Sequence, residues 1–429
     1  MNGTRVTVLG AGTVGVCCAL SLLRKGFRVT LIDRAEPGSG CSYGNAGMIQ
    51  VGGCVPTATP GIIRQVPRML LDPDGPLIIR WRHLASLSPY LLHFLASARP
   101  ERVEQIAGAL ASLLRLAAEA YRPLIASARC EHLIRESGEL YAYRSENAYL
   151  AAKPAHDLRR RHGVHIEEFA GAELHRLEPA LSADFTRGVL ITGSLSTRSP
   201  QLLTQALADR FVAEGGEFVK IQVEDLVIDD GKPAFLISDS GARPIGKLVL
   251  AFGAHSKRWA RKLGSWLPLD SERDYHLMVP DPGIELGRPV IVGDQKFGLS
   301  SMAGGLRIAG TAELASLDAP PNYRRAHRLL KLAAAALPDL RPSEPEPWMG
   351  LRPSTPDSLP VICRAPATAD AFFAFGHGHS GLTLGAITGS IVADLVAGEA
   401  SPVDIAPFDI RRFGILPMKR PGAFSGDVT

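Results

Sequence analysis

Two histidines, His377 and His379, stand two positions apart in the stretch GHGHSGLTLG, among glycines and other small residues. Imidazoles at this spacing could bind a metal ion, but a tetrahedral site would need two further ligands. His255, His276 and His327 lie in unrelated segments, and the cysteines form no C-x-x-C pair of the kind that zinc and iron–sulfur sites use. We therefore predict no metal site here, and expect a glycine-rich backbone turn instead.

The amino-terminal stretch RVTVLGAGTVGVCCALSLLRKGFRVTLIDR has the parts of a phosphate-binding turn. A short apolar run, typical of a buried parallel strand, leads into Gly10, Gly12 and Gly15 and then into a helical run. The first glycine permits a tight turn, the second a close backbone approach to a pyrophosphate, and the third close packing of helix on strand. A second strand ends in Asp33, which can accept hydrogen bonds from ribose hydroxyls. The order of these parts predicts a dinucleotide site, without choosing between nicotinamide and flavin.

Three later segments have a related character. CSYGNAGMIQ is small and polar, LVLAFGAHS is a strand that ends at Gly253, and DAFFAFGHGHSGLTLG gives a strand, a glycine-rich turn and the start of a helix. Glycines at a helix start leave backbone N–H groups open to a ligand. Segments from both ends and from the middle of the chain are thus expected at one nucleotide site. A simple NAD dehydrogenase does not readily explain that arrangement.

Five blocks in register resemble the FAD-dependent D-amino-acid oxidase/dehydrogenase superfamily, which includes sarcosine and glycine oxidases: TVLGAGTVGV, CSYGNAGMI, LVLAFGAHS, GLRPSTPDSLPVI and GHGHSGLTLGAITG. The resemblance runs from about residue 5 to residue 413 and is patchier between about 60 and 240. It is greatest to the bacterial D-amino-acid dehydrogenases. The stretches AFGHGHSGLTL and PDGPLIIRWR especially resemble the 4-hydroxy-D-proline dehydrogenase branch, which favours a D-proline-type substrate.

This resemblance implies an α/β fold in which an FAD-binding Rossmann-like domain is interleaved with an α+β substrate domain built on an antiparallel sheet. We assign residues 1–80, 140–255 and 345–415 to the FAD-binding domain. The substrate domain takes residues 81–139 and 256–344. The isoalloxazine ring is expected between the two domains, where cofactor sites are common.

The resemblance also implies which residues contact FAD. It implies that the Gly-His-Gly turn lies beside the flavin ring. These residues are Gly10, Gly12, Thr13, Val14, Gly15, Asp33, Arg34, Ser42, Asn45, Ala46, Gly47, Met48, Val223, Gly253, His377, Gly378, Ser380, Gly381, Leu382 and Thr383.

Arg352 is the first candidate for the substrate side, since a planar guanidinium can hold a carboxylate through two parallel hydrogen bonds. The alternative is an arginine paired with a local acid such as Asp357. His379 is a second candidate, because it could face the substrate; it could equally be a satisfied histidine behind the turn.

Tyr275 lies in SERDYHLMVP, whose alternation predicts a strand. Tyr275 and Leu277 should face one side of that strand, and Asp274 and His276 the other. In related proteins a tyrosine on the corresponding strand lines the site, so Tyr275 could bind the substrate carboxylate or close the site. The alternative is a tyrosine that is part of the core.

The resemblance implies oxidation of the Cα–N bond of a small amino acid to the imine, by hydride transfer from Cα to flavin N5. We expect the electrons to pass to a quinone-type acceptor. Two alternatives stay open: an oxidase of the glycine/sarcosine oxidase type that uses oxygen directly, and an FAD-carrying subunit active only inside a heteromeric complex.

Composition sets limits on partners and location. The 429 residues are 46% hydrophobic and 21% charged, with a formal net charge of +4 spread along the chain, so we predict no nucleic-acid partner. The first strand begins near residue 5, and no apolar run is expected to reach the ~20 residues that span a bilayer. These features predict a cytoplasmic protein. Residues 61–100 predict basic amphipathic helices, either covering the substrate domain or docking peripherally on the inner face of the inner membrane.

Overall fold

The computed structural model describes residues 3–62, 77–79, 83–341 and 343–414. Its strands are β1 (Arg5–Leu9), β2 (Arg28–Asp33), β3 (Met48–Ile49), β4 (Leu77–Ile79), β5 (Ile134–Arg135), β6 (Glu139–Tyr143), β7 (Ile166–Ala170), β8 (Arg187–Ile191), β9 (Leu195–Thr197), β10 (Glu217–Lys220), β11 (Val223–Asp229), β12 (Lys232–Ser238), β13 (Gly241–Pro244), β14 (Lys247–Leu250), β15 (Asp270–Val279), β16 (Val290–Val292), β17 (Phe297–Met302), β18 (Gly305–Leu314), β19 (Glu346–Ser354), β20 (Val361–Arg364) and β21 (Ala371–Phe375). Its α-helices are α1 (Thr13–Arg24), α2 (Leu84–Ser97), α3 (Pro100–Ala128), α4 (Glu146–Arg161), α5 (Ala172–Leu177), α6 (Pro200–Ala213), α7 (Ser256–Lys262), α8 (Arg324–Ala336) and α9 (Gly381–Ala397).

The first large sheet has the strand order β10-β2-β1-β14-β21-β20. The pairings from β10 through β21 are parallel, and β20 is an antiparallel edge strand. One face packs against α1, α3, α6 and α9, and the other against α7 and the small β11-β12-β13 sheet. Because both faces are covered, the central strands are continuous apolar runs, as the sequence of β1 predicted.

The second large sheet has the order β19-β15-β18-β17-β16-β6-β8-β7, with β4 paired to β18. Most pairings are antiparallel, which confirms the predicted class of an α/β chain with a second, mainly antiparallel sheet. One face forms a core with α8 that includes Leu277, Ile308 and Leu329. The opposite face is therefore left to line a cavity.

The domain boundaries stay a prediction, but the strand pairings divide the chain differently. Strands β6, β7, β8 and β19 belong to the second sheet, although their residues fall almost entirely in ranges assigned to the FAD-binding domain. Helix α3, assigned to the substrate domain, packs into the core of the first sheet with α1 and α9. Both differences arise from long-range pairings that local sequence patterns do not reveal.

Within the part of the chain that the structure describes, one helical stretch, Gly378–Ala397, is long and apolar enough to span a membrane. The expectation that no apolar run approaches this length was therefore wrong. The stretch has 20 residues, and its most apolar window has a mean hydropathy of 1.5, but 78% of that window is buried inside the protein. It is apolar because α9 is surrounded by the other helices of the first core.

The segment proposed for membrane docking is described only in part. Residues 63–76 and 80–82, including most of PDGPLIIRWR, lie outside the described residues. Helix α2 buries Leu87 and Tyr90, whereas Leu92 is 69% exposed. A helix is therefore present at residues 84–97, with leucine side chains on its exposed side, and the role of this segment stays a prediction.

Helices α1 and α9 cross with almost no space between their backbones. A Cβ added at Gly389 would lie 2.6 Å from the carbonyl oxygen of Cys17, and one at Gly385 would lie 2.8 Å from the hydroxyl of Tyr121. That hydroxyl donates a 2.5 Å hydrogen bond to the carbonyl oxygen of Leu382 at the start of α9. The crossing thus positions the amino-terminal ends of both helices.

We predict that Gly389→Ala lowers the free energy of unfolding by about 1–3 kcal/mol, because the added methyl group meets backbone that cannot yield locally. Gly108→Ala is the matched control: it also lies within a helix, and its added Cβ would make an ordinary 3.5 Å contact with His162. The control should raise stability by about 0.5–1 kcal/mol through helix propensity. Urea unfolding of both variants measures the difference, and equal midpoints would contradict close packing at this crossing.

Candidate active site

The turn between β1 and α1 can be made only by glycines at two positions. Gly10 has φ +110°, and a Cβ there would lie 2.4 Å from the carbonyl oxygen of Ala251. A Cβ at Gly15 would lie 1.8 Å from the carbonyl oxygen of Gly10. Helix α1 has no acidic residue in its first turn and no side-chain cap from Gly12, so the N–H groups of its first turn that follow Thr13 are open to an anion.

Asp33 fixes this turn from the end of β2. Its Oδ2 accepts a 2.7 Å hydrogen bond from the N–H of Ala11, and its Oδ1 accepts one of 3.1 Å from the N–H of Ala35. Ser42 approaches from the other side, where its Oγ accepts a 3.0 Å hydrogen bond from the N–H of Thr13. A carboxylate has about four acceptor positions, so Asp33 keeps capacity for ribose hydroxyls.

A cavity of about 1020 Å³ opens from this turn and draws on every segment that the sequence pointed to. Its volume lies at the top of the range usual for ligand sites, as an extended dinucleotide requires. The predicted cofactor residues in its wall are Gly10, Gly12, Thr13, Val14, Asp33, Arg34, Ser42, Asn45, Val223, Gly253, His377, Gly378, Gly381 and Leu382. The glycine cradle, the open helix terminus and the long cavity fit FAD.

The other predicted cofactor residues lie behind this wall or beside a second cavity. Gly15 packs on Gly10, and a Cβ at Gly47 would lie 2.6 Å from the carbonyl oxygen of Thr197. The Thr383 hydroxyl donates to the Met48 carbonyl oxygen at 3.2 Å and accepts from the Gln50 N–H at 3.1 Å. Ser380 is buried at the start of α9. Ala46 and Met48 line the second cavity.

The second cavity, of about 560 Å³, lies on the open face of the second sheet. Six residues line both cavities: Cys41, Asn45, Trp348, Gly350, Pro353 and Gly378. A ligand in the first cavity therefore meets a ligand in the second at this shared wall. The first cavity has the volume and the glycine cradle for a dinucleotide, and the second opens beside it.

His377 and His379 have different surroundings. The ring of His377 is buried, its Nε2 lies 3.0 Å from the hydroxyl of Thr388, and burial lowers its pKa to about 3. His379 lines the second cavity, where enclosure by the protein and the nearby Arg352 lower its pKa to about 4. Among residues 3–62, 77–79, 83–341 and 343–414, no group of three or more His, Cys, Asp or Glu side chains could hold a metal ion.

Arg352 lies in the second cavity and is paired with two acids of β15. Its Nη1 is 3.3 Å from Glu272 Oε2, and its Nε forms an ion pair with Asp274. The local acid expected from the sequence, Asp357, is instead paired with Arg412 at 2.7 Å. Burial raises the pKa of Asp274 to about 7, an effect that Arg352 opposes and Glu272 reinforces. Asp274 is thus poised between its two protonation states near neutral pH.

Tyr275 contributes to the wall of the second cavity, but its hydroxyl is engaged elsewhere. It donates a 2.7 Å hydrogen bond to Glu313 Oε2 and accepts one of 3.0 Å from the N–H of Asn322. Its ring packs in the α8 core with Leu277, on the face that the alternation predicted for both residues. The geometry thus favours the core alternative over a direct contact with a substrate carboxylate.

His276 was not predicted from the sequence as a site residue. It lines the second cavity and stacks on Trp348, with ring centroids 4.9 Å apart. Its Nδ1 lies 3.2 Å from the carbonyl oxygen of Gly44, so Nδ1 carries the proton and Nε2 is a bare acceptor. Nε2 is buried without a partner among the described residues, while burial and Arg307 lower the ring pKa to about 3.

The strand alternation separated His276 and Asp274 from Tyr275, but it does not say which of the two faces meets the cavity. Arg159 and Tyr141 also line the second cavity, and no sequence motif singled them out. They come from α4 and β6, which reach the site only through long-range strand pairing.

Comparison with known proteins agrees with this geometry. The family described as "DAO: FAD dependent oxidoreductase" matches residues 5–395. The chain is 38% identical over 419 residues to a D-amino-acid oxidase of Bradyrhizobium diazoefficiens, covering 96% of this chain and 99% of the relative. It is 32% identical over 418 residues to a D-amino acid dehydrogenase of Paramagnetospirillum magneticum, covering 95% and 99%.

A solved structure shows the same fold. The glycine oxidase from Geobacillus kaustophilus superposes with a TM-score of 0.74 at 22% identity, covering 96% of this chain and 99% of that one. The family match spans both large sheets and every segment that lines the first cavity. The chain therefore belongs to the DAO family of FAD-dependent oxidoreductases.

Proposed function

We propose that this chain is a D-amino-acid dehydrogenase that oxidises the Cα–N bond of its substrate to the imine. The observation that carries the proposal is the shared wall of the two cavities, with Arg352 and the neutral His276 on the substrate side. The two curated relatives support a D-amino-acid substrate. A D-proline-type substrate stays a prediction of the sequence resemblance.

Arg352 would hold the substrate carboxylate and thereby orient Cα toward the shared wall. His276 Nε2 would accept a hydrogen bond from the substrate amine, and its low pKa keeps it an acceptor at neutral pH. A substrate that arrives as the ammonium would lose one proton to water on binding, because a ring of this low pKa does not hold it, and the neutral amine would then donate its hydrogen bond to Nε2. FAD supplies the acceptor for two electrons and the Cα hydrogen. No other side-chain base is required.

The electron acceptor distinguishes two candidate functions, a dehydrogenase that reduces a quinone and an oxidase that reduces oxygen. A quinone-type acceptor follows from the resemblance to dehydrogenases, and would suit a cytoplasmic protein docked peripherally on the inner face of the inner membrane. The 38% identical relative is named an oxidase, which supports direct use of oxygen as the second candidate. A subunit that acts only in a heteromeric complex would bind FAD but oxidise nothing alone.

Purified FAD-loaded protein should oxidise D-amino acids with a dye acceptor and release little hydrogen peroxide in air. Peroxide formed at the rate of dye reduction would assign the oxidase function instead. Failure of every D-amino acid to react with either acceptor would overturn the independent enzyme and leave the subunit alternative. The L-enantiomers are the matched control.

Loss of the Asp33 carboxylate should weaken FAD binding. Asp33→Ala removes charge-assisted hydrogen bonds worth about 1.5–3 kcal/mol, so the FAD dissociation constant should rise roughly 10- to 150-fold. Asp209→Ala on the exposed side of α6 makes the same change of charge and should leave FAD affinity unchanged. Fluorescence titration of apoprotein with FAD measures both, and equal affinities would contradict the ribose role.

Loss of Arg352 should leave FAD in place but weaken substrate binding. We expect Arg352→Ala to raise the substrate dissociation constant roughly 10- to 150-fold, the loss of one charge-assisted pair. Arg352→Lys should recover part of that loss, and Arg411→Ala, at an exposed arginine, should change nothing. Anaerobic absorbance titrations provide the measurement. Unchanged affinity in Arg352→Ala would show that another group holds the carboxylate.

Asp274 should make substrate binding depend on pH. Its pKa is raised to about 7, so below pH 7 it is largely protonated and releases Arg352 to an incoming carboxylate. Above pH 7 it is ionised and competes with the ligand carboxylate for Arg352. The dissociation constant of propionate, a carboxylate without an amine to oxidise, should therefore rise by up to about tenfold per pH unit. His276 and His379, with pKa values of about 3 and 4, do not titrate in this range.

The control for this pH dependence is Asp274→Asn, which keeps the shape of the side chain but cannot ionise. Its propionate affinity should be nearly constant between pH 6 and pH 8.5. A flat profile in the unmodified protein, or a slope that persists in the variant, would refute the competition between Asp274 and substrate.

A further inference from the structure

The loop of residues 41–46 joins the turn before α1 to the wall that the two cavities share. Its Ser42 accepts a 3.0 Å hydrogen bond from the N–H of Thr13, and its Cys41 and Asn45 line both cavities. The position of this loop therefore affects both the phosphate end of the first cavity and its boundary with the second.

Three successive carbonyl oxygens of the loop are held by side chains of the second sheet. Arg307 of β18 donates from Nη1 to the carbonyl oxygen of Tyr43 at 2.7 Å and to that of Asn45 at 2.5 Å. His276 of β15 donates from Nδ1 to the carbonyl oxygen of Gly44, which lies between them, at 3.2 Å. Two side chains of one sheet thus fix the backbone of the loop.

Arg307 lies beneath the loop, on the same face of the sheet as His276. It pairs across the strands with Met278, which stands two residues after His276 on β15. Its guanidinium is 5.3 Å from the centroid of the Tyr43 ring. The contact to the loop therefore involves both the backbone and a side chain.

The loop is the principal partner of the Arg307 charge. The side chain is buried, with 3% of the residue exposed, and burial lowers its pKa to about 10. In the part of the chain that the structure describes, no carboxylate is paired with Arg307, and its Nε is buried without a hydrogen-bond partner. Hydrogen bonds from a charged donor are stronger than those between neutral groups, so the two carbonyl contacts hold the loop firmly.

Trp348 links the loop to the ring of His276. A Cβ added at Gly44 would lie 1.8 Å from the Trp348 ring, and that ring stacks on His276 with centroids 4.9 Å apart. Trp348 also lines both cavities. Because the three groups are in contact, a displacement of the loop would disturb the packing of both rings.

The hydrogen-bonding state of His276 depends on the loop as well. The Gly44 carbonyl oxygen accepts from Nδ1–H, which selects the neutral tautomer whose Nε2 is a bare acceptor. Burial and the nearby Arg307 lower the pKa of His276 to about 3, so the ring stays neutral. If the loop moved away, Nδ1 would lose its acceptor and the proton would be free to move to Nε2. Nε2 would then be a donor, unable to accept a hydrogen bond from an amine.

We propose that Arg307 is a positioning residue for amino-acid oxidation, which holds the loop of residues 43–45 in place so that the loop fixes the tautomer and direction of His276. This inference rests on the proposed function, in which His276 accepts a hydrogen bond from the substrate amine. Arg307 lines neither cavity, so it acts through the loop rather than on the ligand.

Anaerobic flavin reduction separates this role from substrate binding. In Arg307→Met the rate constant of reduction at saturating D-amino acid should fall about 10- to 100-fold, since small misplacements of reacting groups have effects of this size. The dissociation constant of propionate, held at Arg352, should be nearly unchanged. Arg307→Lys keeps a cation and should restore part of the rate.

Arg288→Met is the matched control. Arg288 also donates to two carbonyl oxygens, those of Ser137 and Leu177, but it lines neither cavity, so its loss should leave the rate constant unchanged. A full rate in Arg307→Met would overturn the proposal. Release of FAD from Arg307→Met, or an equal loss of rate in Arg288→Met, would assign Arg307 a general structural role instead. Arg307→Gln is the second variant if Arg307→Met fails to fold, and a full rate in it would equally refute the proposal.

The tautomer of His276 tests the inference without turnover. Nitrogen NMR of FAD-loaded protein with isotope-labelled histidine distinguishes a protonated ring nitrogen from a bare one, and His276→Gln assigns the signal. We expect the proton on Nδ1 in the unmodified protein near neutral pH, and a mixture of tautomers in Arg307→Met. A proton on Nε2 in the unmodified protein, or an unchanged signal in Arg307→Met, would contradict the positioning role.

The two measurements together distinguish failure of this inference from failure of the proposed function. Flavin reduction by D-amino acids at the same rate in Arg307→Met, with an unchanged tautomer, would overturn the positioning role and leave the proposed function intact. Reduction by no D-amino acid, with the expected change of tautomer, would overturn the function and leave the contact between Arg307, the loop and His276.

Discussion

The absence of side chains where α1 meets the first sheet is the constraint on which the site depends. The carbonyl oxygen of Gly10 occupies the space that a Cβ of Gly15 would need, and the Ala251 carbonyl oxygen occupies the space beside Gly10. Parallel strands β1, β14 and β21 end at the same edge of the sheet, so the turns after them meet there. Because the turn after β1 is tight, it leaves this edge of the sheet open, and the first cavity lies there.

The first half of this arrangement could be predicted from sequence because its signals are local. Gly10, Gly12, Gly15 and Asp33 lie within one βαβ unit, and their spacing alone specifies the turn and the acid beside it. The turn at Gly376–Gly378 was also predictable, since two glycines follow an apolar strand closely in the sequence, and both have positive φ in the structure. The individual residues predicted to contact FAD were harder to assign from sequence. Gly15, Gly47 and Thr383, for example, lie behind the wall of the first cavity.

The substrate side could not be derived in the same way, because non-local pairing creates it. Arg352 meets Asp274 only because β19 pairs antiparallel with β15, whereas the sequence offered the nearby Asp357 as its partner. Alternation divided β15 correctly into two faces, but nothing local says which face meets the cavity and which meets α8. Arg159 lies about 190 residues from Arg352 in sequence and reaches the same cavity through the β6–β16 pairing.

Electrostatics gives the two cavities different chemistry. The histidines near the shared wall are held neutral by burial, so they act as hydrogen-bonding groups, while charge is concentrated on arginines and on Asp274. All of this presupposes that separate segments of the chain converge on a single FAD. The most direct test is the flavin absorbance of the purified chain after incubation with FAD and gel filtration. We predict one FAD bound per chain; a protein that stays colourless and retains no flavin would contradict the account.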